Sequence, residues 1–275
     1  MSKNYCIHSY LQKCKLMHYS PGFGDWLRGT VALWKYCQKY NYELYIDHKS
    51  HPIFQYLEDH PCFKENVLPV HECIYPLSYE DIDIKLHELF AKNESFATLT
   101  NAIYDHDLIC NEIYHAITPP ECKEWIRSIL TPNQILKDSI ANAYQQLGID
   151  RNREYRVIHL RIGDNFLFQN AFDQEYYNMI HGRVRHLVTS ESQYQYVLLC
   201  DTARFGQQLK EDFPQIHYWD NKKTHLGTTN DHPEGILDAL TDFFVMSNAC
   251  AILTIFDSGF SRMCTRIYDI TFYRI

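Results

Sequence analysis

The sequence predicts an α/β protein whose strands form a parallel, doubly wound sheet. Three observations carry this: strand-like and helix-like patterns alternate from about residue 139 onward, the strand candidates are short continuous apolar runs, and polar residues gather immediately after them. Strands buried on both faces by crossover helices read as apolar runs, without the polar alternation of a half-exposed sheet.

In sequence order, residues 26–40 place Leu27, Val31, Leu33 and Trp34 at helical spacing, and residues 42–46 follow with strand character. Residues 48–132 mix short amphipathic pieces with Pro52, Pro61, Pro69, Pro76, Pro119 and Pro120, and they yield no topology. A helix is expected from about Ser139 to Gly148, then an apolar strand over Tyr155–Leu160 and a polar turn over 161–165. A second strand over 194–200 leads into a helix entered at Asp201 and ending near Phe213, followed by a short strand over 216–219. Residues 234–248 read as a helix, 249–255 as a buried strand, and Gly259 opens a last helix after an Asp257-Ser-Gly turn. The change from unclear to clear alternation sets a domain boundary near residue 150, giving domains 1–150 and 151–275.

Composition narrows the function. The 275 residues, 45% hydrophobic and 22% charged, suffice for one large or two small cores. A net charge of −8 and the lack of a concentrated Lys/Arg surface argue against a duplex-binding protein while leaving room for a local basic pocket, and no nucleic-acid partner is expected. Ten cysteines include no C-x-x-C pair, so no structural zinc site or thioredoxin-type centre is expected. The first twenty residues lack an apolar leader core, and no run is long enough to span a bilayer. The expectation is a cytoplasmic protein without a membrane span.

Three segments carry chemistry. In Ser20-Pro-Gly-Phe-Gly-Asp-Trp-Leu-Arg-Gly29, Gly22, Phe23 and Gly24 form a G-x-G turn directly before a helix. Its first N–H groups and dipole favour an anion, with Arg28 one turn inside. A plain helix-entry turn is the competing reading. In Ile158-His-Leu-Arg-Ile-Gly-Asp-Asn165, Arg161 offers a planar fork suited to paired phosphate oxygens. The alternatives are an Arg161–Asp164 salt bridge that fastens the loop and a hydrogen-bonded core role for His159. The third segment, Asp257-Ser-Gly-Phe-Ser261, exposes hydroxyls and backbone N–H groups at a helix start, as an anion cradle or an ordinary N-cap. Neither a Walker loop nor a strand-linked G-x-G-x-x-G is present, which argues against a P-loop hydrolase or a dinucleotide-dependent oxidoreductase.

An N-terminal G-x-G helix entry, a mid-sequence H-x-R-x-x-D and a late Ser258-Gly-Phe-Ser261 turn together resemble the fucosyltransferase superfamily. This group spans the alpha-1,2, alpha-1,6 and protein O-fucosyltransferases and their bacterial nodulation relatives. The resemblance covers residues 20–34 and 155–275. It implies a GT-B fold of two Rossmann-like domains facing across a cleft, with 1–150 on the acceptor side and 151–275 holding the donor. It further implies an inverting, metal-independent transfer of fucose from GDP-fucose to a hydroxyl of a glycan acceptor, GDP-fucose being a substrate and no cofactor being needed.

By the same resemblance, Arg161 binds the donor's beta-phosphate and His159 lies beside the nucleotide. Asp242, in a D-x-x-x-x-S-x-A pattern running to Ala249, reads guanine, while Phe256, Asp257, Ser258, Gly259 and Phe260 form the phosphate-contacting turn. The implied donor set is completed by Gly22, Phe23, Gly24, Arg28 and Asp164. Departures are Ile162 where relatives carry a second arginine, Asp257 where they carry Ser or Thr, and Gln169 at a proposed base position. Asp25 is the nameable base candidate beside an N-cap reading, and Arg161 the candidate for stabilising the leaving diphosphate. A non-catalytic nucleotide-sugar or glycan binding module, or a transferase of another GDP-sugar, are the alternatives.

Overall fold

The computed structural model describes residues 3–16, 21–74, 77–100, 118–150, 153–162, 174–221, 226, 233–256 and 258–275. The polypeptide divides into two compact units, Met1–Asn133 with His225–Pro233, and Gln134–Thr224 with Glu234–Ile275. The division falls at residue 133, ahead of the 150 read from the sequence, and the helix Gln134–Leu147 groups with the second unit. Its Tyr144 hydroxyl bonds that of Tyr155 at 2.9 Å, and His217 Nδ1 meets the Leu147 carbonyl at 2.7 Å.

In the first unit, β1 (Tyr5–His8), α1 (Phe23–Tyr40), β2 (Glu43–Asp47), a 3-10 turn (Pro52–Tyr56), β3 (Phe63–Lys64), β4 (Val70–Cys73), α2 (Tyr79–Ala91), β5 (Phe96–Thr100) and α3 (Pro120–Ile129) follow in order. The sheet order is β3-β2-β1-β5-β4, with every pairing parallel. Residues 48–132, unassigned from sequence, thus contribute three of the five strands. β5 is buried along its length although it reads Phe-Ala-Thr-Leu-Thr. Its threonines are tolerated because their polar atoms are satisfied: Thr98 Oγ1 donates to the His71 carbonyl at 2.7 Å and lies 3.1 Å from Thr100 Oγ1.

In the second unit, α4 (Gln134–Leu147) leads into β6 (Tyr155–Leu160), α5 (Gln174–Ser190), β7 (Gln195–Cys200), α6 (Ala203–Asp212), β8 (Ile216–Tyr218), α7 (Pro233–Ser247), β9 (Ala251–Thr254), α8 (Gly259–Tyr268) and β10 (Thr271–Arg274). The order β10-β9-β6-β7-β8 is again parallel throughout. Helix α5 and strand β10 add to the elements read from sequence; the other expected elements stand within a few residues of their bounds. One face of the sheet packs Ile158, Leu160, Val184, Leu198, Phe205 and Leu253 into an apolar core. At roughly 25 cal/mol per Å2 removed from water, each such residue contributes about 1.5–3 kcal/mol.

Helix ends follow local chemistry. Asn41 (φ 58°) after α1, Gly148 (φ 62°) after α4 and Asp269 (φ 58°) after α8 adopt the left-handed conformation that stops a helix. Short polar residues and glycine tolerate that region best. Among the described residues, no helix is long and apolar enough to cross a membrane.

Candidate functional site

In each unit the backbone winds outward from a central strand and then returns to that strand's other side. The reversals lie between β1 and β5 and between β6 and β9, and such switch points open a crevice at the strands' carboxyl ends.

At the second unit's switch point, β6 ends in His159 and Leu160, and Arg161 follows. Arg161 Nη1 pairs with Asp201 Oδ2 at 3.1 Å, while Asp201 Oδ1 accepts from the Ile162 N–H at 2.9 Å. The Asp201 N–H returns a bond to the Leu160 carbonyl at 3.3 Å. One carboxylate thereby fixes the exit of β6 against the exit of β7 and sets the direction of the guanidinium. Asp164, the partner weighed for Arg161 from sequence, lies outside the described residues, as does Asp257. His159 is 7% exposed, with its ring 6.0 Å from that of Phe260, which packs 5.3 Å from Phe243.

The α8 entry is capped by Ser258, in an extended conformation (φ −123°, ψ 128°), whose Oγ accepts from the Phe260 N–H at 3.3 Å. Gly259 is the first helical residue, and Ser261 Oγ donates to the Ser258 carbonyl at 3.3 Å. The N-cap reading of this turn is therefore realised by Ser258, while the helix start still directs its positive end toward the β6–β9 crevice. Asp242, on α7, is tied to the exit of β8: Trp219 Nε1 and Asn221 Nδ2 both donate to its Oδ1, at 3.2 and 3.0 Å.

At the first unit's switch point, α1 begins three residues earlier than its apolar spacing predicts. Gly22 is the N-cap (φ −64°, ψ 162°), with no capping bond from a side group, and Gly24 lies inside the first turn. That conformation of Gly22 is open to any residue, so the G-x-G pair is a helix start and not a tight turn ahead of one. Asp25 is correspondingly not an N-cap. It is the third helical residue, its N–H bonds the Gly22 carbonyl at 2.9 Å, and its carboxylate pairs with Arg28 at 3.1 Å.

Behind this helix start lies an aromatic stack that the motifs do not announce. The Tyr10 ring lies 4.1 Å from His51 and 5.3 Å from Trp26, both near parallel, and Phe23 lies 5.9 Å from Trp26. Burial, reinforced by the charge of Asp25, pushes the Tyr10 hydroxyl well above its ordinary range. His8 is fully buried, with Nδ1 3.0 Å from Thr30 Oγ1 and Nε2 3.2 Å from the Thr100 carbonyl. Burial lowers its pKa to about 3, and lowers that of His51 to about 4. His51 Nδ1 accepts from the Ile53 N–H, which fixes its tautomer with Nε2–H donating to the Leu226 carbonyl at 2.9 Å. Asp47, at the exit of β2, accepts from Ser9 Oγ at 3.0 Å.

The structure thus brings His159, Arg161, Ser258, Gly259 and Phe260 to one switch point, holds Asp242 at the β8 exit of the same unit, and groups Gly22, Phe23, Gly24, Asp25 and Arg28 at the start of α1. The motif reading passes over Asp201 as a partner of Arg161, Trp219 and Asn221, and the Tyr10, Trp26 and His51 stack. The available signal is position: each follows or adjoins a strand's carboxyl end, or lies in the first turn after it. Among the described residues, no group of three or more His, Cys, Asp or Glu residues is placed to hold a metal ion.

No protein-family model and no curated protein sequence matches this protein. Solved structures do match in shape. NodZ alpha-1,6-fucosyltransferase co-crystallised with GDP superposes with a TM-score of 0.60 at 15% identity, over 96% of this protein and 92% of that one. Fucosyltransferase NodZ from Bradyrhizobium gives 0.61 at 15% identity, over 96% and 92%. An Arabidopsis thaliana FUT1 variant in complex with GDP gives 0.63 at 10% identity, over 100% of this protein and 71% of that one. Two five-stranded parallel sheets with flanking helices are the GT-B fold of these fucosyltransferases, and this protein shares that fold.

Proposed function

We propose that this protein is an inverting glycosyltransferase that takes fucose from GDP-fucose to a hydroxyl of a glycan acceptor, without a metal ion. The observation that carries this reading is the constellation at the β6–β9 switch point: Arg161 oriented by Asp201, His159 beside Phe260, and the Ser258-capped start of α8. It is supported by the fold shared with fucosyltransferases whose structures hold GDP or were soaked with GDP-fucose.

In the proposed reaction the acceptor oxygen attacks the anomeric carbon from the face opposite the nucleotide. The bond from that carbon to the diphosphate oxygen breaks as the new C–O bond forms, and the acceptor's proton passes to a base. Negative charge grows on the departing diphosphate, so donors fixed in advance lower the barrier most. Arg161 supplies a cationic fork and the α8 start a positive dipole end. Asp25 is the base candidate, carried on α1 and paired with Arg28.

Ile162 favours a second reading. It stands where relatives place a further arginine, and it is 4% exposed in the apolar core, so one cationic contact to the leaving group is replaced by packing. A nucleotide-sugar binding module without turnover follows from that loss. Incubation with GDP-fucose and a glycan pool, without added metal, distinguishes the two. GDP release with a deoxyhexose gained by an acceptor is the expected result, abolished in Arg161→Ala, and binding with neither release nor transfer would establish the module. Full turnover in Asp25→Asn would remove Asp25 as the base.

A further inference from the structure

Between helices α5 and α6 of the second unit opens a cavity of about 340 Å3, lined by Gln174, Tyr177, Asn178, His181, Gln208 and Asp212. None of these residues belongs to the constellation at the β6–β9 switch point. α5 contributes positions 174, 177, 178 and 181, a spacing that puts four residues on one stripe of a helix, and α6 contributes 208 and 212, one turn apart.

One carboxylate anchors the arrangement. Tyr177, 5% exposed, donates its hydroxyl proton to Asp212 Oδ2 at 2.6 Å, and His181 Nε2 lies 3.5 Å from the same oxygen. Burial, together with this bond to the carboxylate, raises the Tyr177 hydroxyl well above its ordinary range, so it stays a donor. Asp212 Oδ1 is held only loosely, by Gln208 Nε2 at 3.5 Å, and Gln174 Nε2 donates to Asn178 Oδ1 at 3.0 Å. Among the described residues, no protein group bonds the amide oxygens of Gln174 and Gln208 or the amide nitrogen of Asn178. The cavity therefore offers three acceptors and an amide donor, on planar groups whose other atom is already engaged.

This lining selects among ligand chemistries. It holds no Lys or Arg, and the charge of Asp212 repels a phosphate or a carboxylate. A hard cation such as calcium takes about six to eight oxygen ligands, more than one carboxylate and two amides supply. An aromatic base needs an open ring face, whereas Tyr177 packs on Phe205 at 5.7 Å and on His181 at 5.8 Å, and His181 packs on Phe213 at 4.7 Å. An apolar ligand would leave the amides buried and unpaired. Neighbouring hydroxyls satisfy the set, because each accepts one hydrogen bond and donates another, as amide N–H and carbonyl groups side by side require. At this volume, near the lower end of the roughly 300–1,000 Å3 of ligand cavities, there is room for a single sugar ring and not for a chain of them.

We propose that the α5–α6 cavity is a carbohydrate subsite that holds one neutral pyranose residue by its hydroxyls, separate from the site at the β6–β9 switch point. The proposal stands on the geometry of the second unit and does not require the transferase reading.

Saturation-transfer NMR of the intact protein with the methyl glycosides of glucose, galactose, mannose, N-acetylglucosamine and fucose, at millimolar concentration, tests it. At least one glycoside is expected to bind, with affinity falling about tenfold or more in Asn178→Leu/Gln208→Leu, which removes the amide donor and one acceptor. Arg161→Ala is expected to bind it as the wild type does, and neither inorganic phosphate nor calcium is expected to compete. No binding of any glycoside by the folded wild type overturns the proposal, as does displacement by phosphate or calcium. Binding that survives the double substitution and is lost in Arg161→Ala also overturns it, by moving the sugar to the β6–β9 crevice. Should the double variant fail to fold, Gln174→Leu decides by the same comparison.

Discussion

His8 and His51 show how single residues couple the first unit to pH. Both are neutral in the folded protein, with pKa values lowered to about 3 and about 4 by burial, against an ordinary 6.5. The unfolded polypeptide takes up these protons below pH 6.5 and the folded form does not. Their contribution to stability is therefore complete above pH 6.5 and is lost as pH falls toward 4 and then 3. At about pH 4.5 each is expected to cost roughly 2–3 kcal/mol, a large part of a typical folding free energy. Melting curves at pH 7 and at about pH 4.5 should show a smaller acid-induced drop in His8→Gln/His51→Gln than in the wild type. An equal drop in both would mean that other groups carry the acid sensitivity. Neither histidine is readable as special in the sequence, because an isolated His beside apolar residues gives no sign of its own burial. Arg161 is singled out in the sequence by its place, a cation directly after an apolar strand where the sheet opens, with a loop-fastening ion pair as the competing role, and in the structure it makes such a pair with Asp201. That partner is not legible, since Asp201 lies forty positions away and adjacent β6 and β7 bring them together.

Close packing of a strand exit against a helix makes Gly206 the position where α6 meets a chemical demand. The Tyr218 ring occupies the space of any larger residue there, and a Cβ would fall 2.5 Å from Cζ and 2.7 Å from the hydroxyl. Alanine gains about 1 kcal/mol of helix propensity, while displacing a packed ring costs about 1–3 kcal/mol. Gly206→Ala is expected to lower the melting temperature, and a raised one would show that the ring moves without cost. Elements with one strong local signal are legible in the sequence: β6, β7 and β9 as apolar runs, and α8 from its Ser-Gly start. The elements that escape depend on distant partners. β5 is rich in threonine and is a strand because its hydroxyls find carbonyls and each other, β3 is only two residues long, and β10 is an edge strand with mostly exposed residues. The start of α1 falls earlier than expected because the apolar spacing begins at Trp26, whereas Phe23 and Gly24 already lie in the first turn.

Across both units, two doubly wound parallel sheets each create a switch point, and the polar residues single out the one between β6 and β9. The fold class is readable from half the sequence, since alternation after residue 139 suffices to specify winding. The first unit's topology is not, because residues 48–132 carry short elements interrupted by prolines and its central strand β1 is four residues long. The proposed function stands on this switch point holding a guanine nucleotide through Arg161. Calorimetry with GDP, GDP-fucose, GDP-mannose and UDP-sugars on the purified protein, without added metal, decides it. Guanine-selective binding that weakens at least about tenfold in a folded Arg161→Ala protein is expected, as for loss of a charge-assisted hydrogen bond. No binding of any guanine nucleotide by the folded wild type, or equal binding by the variant, would overturn it.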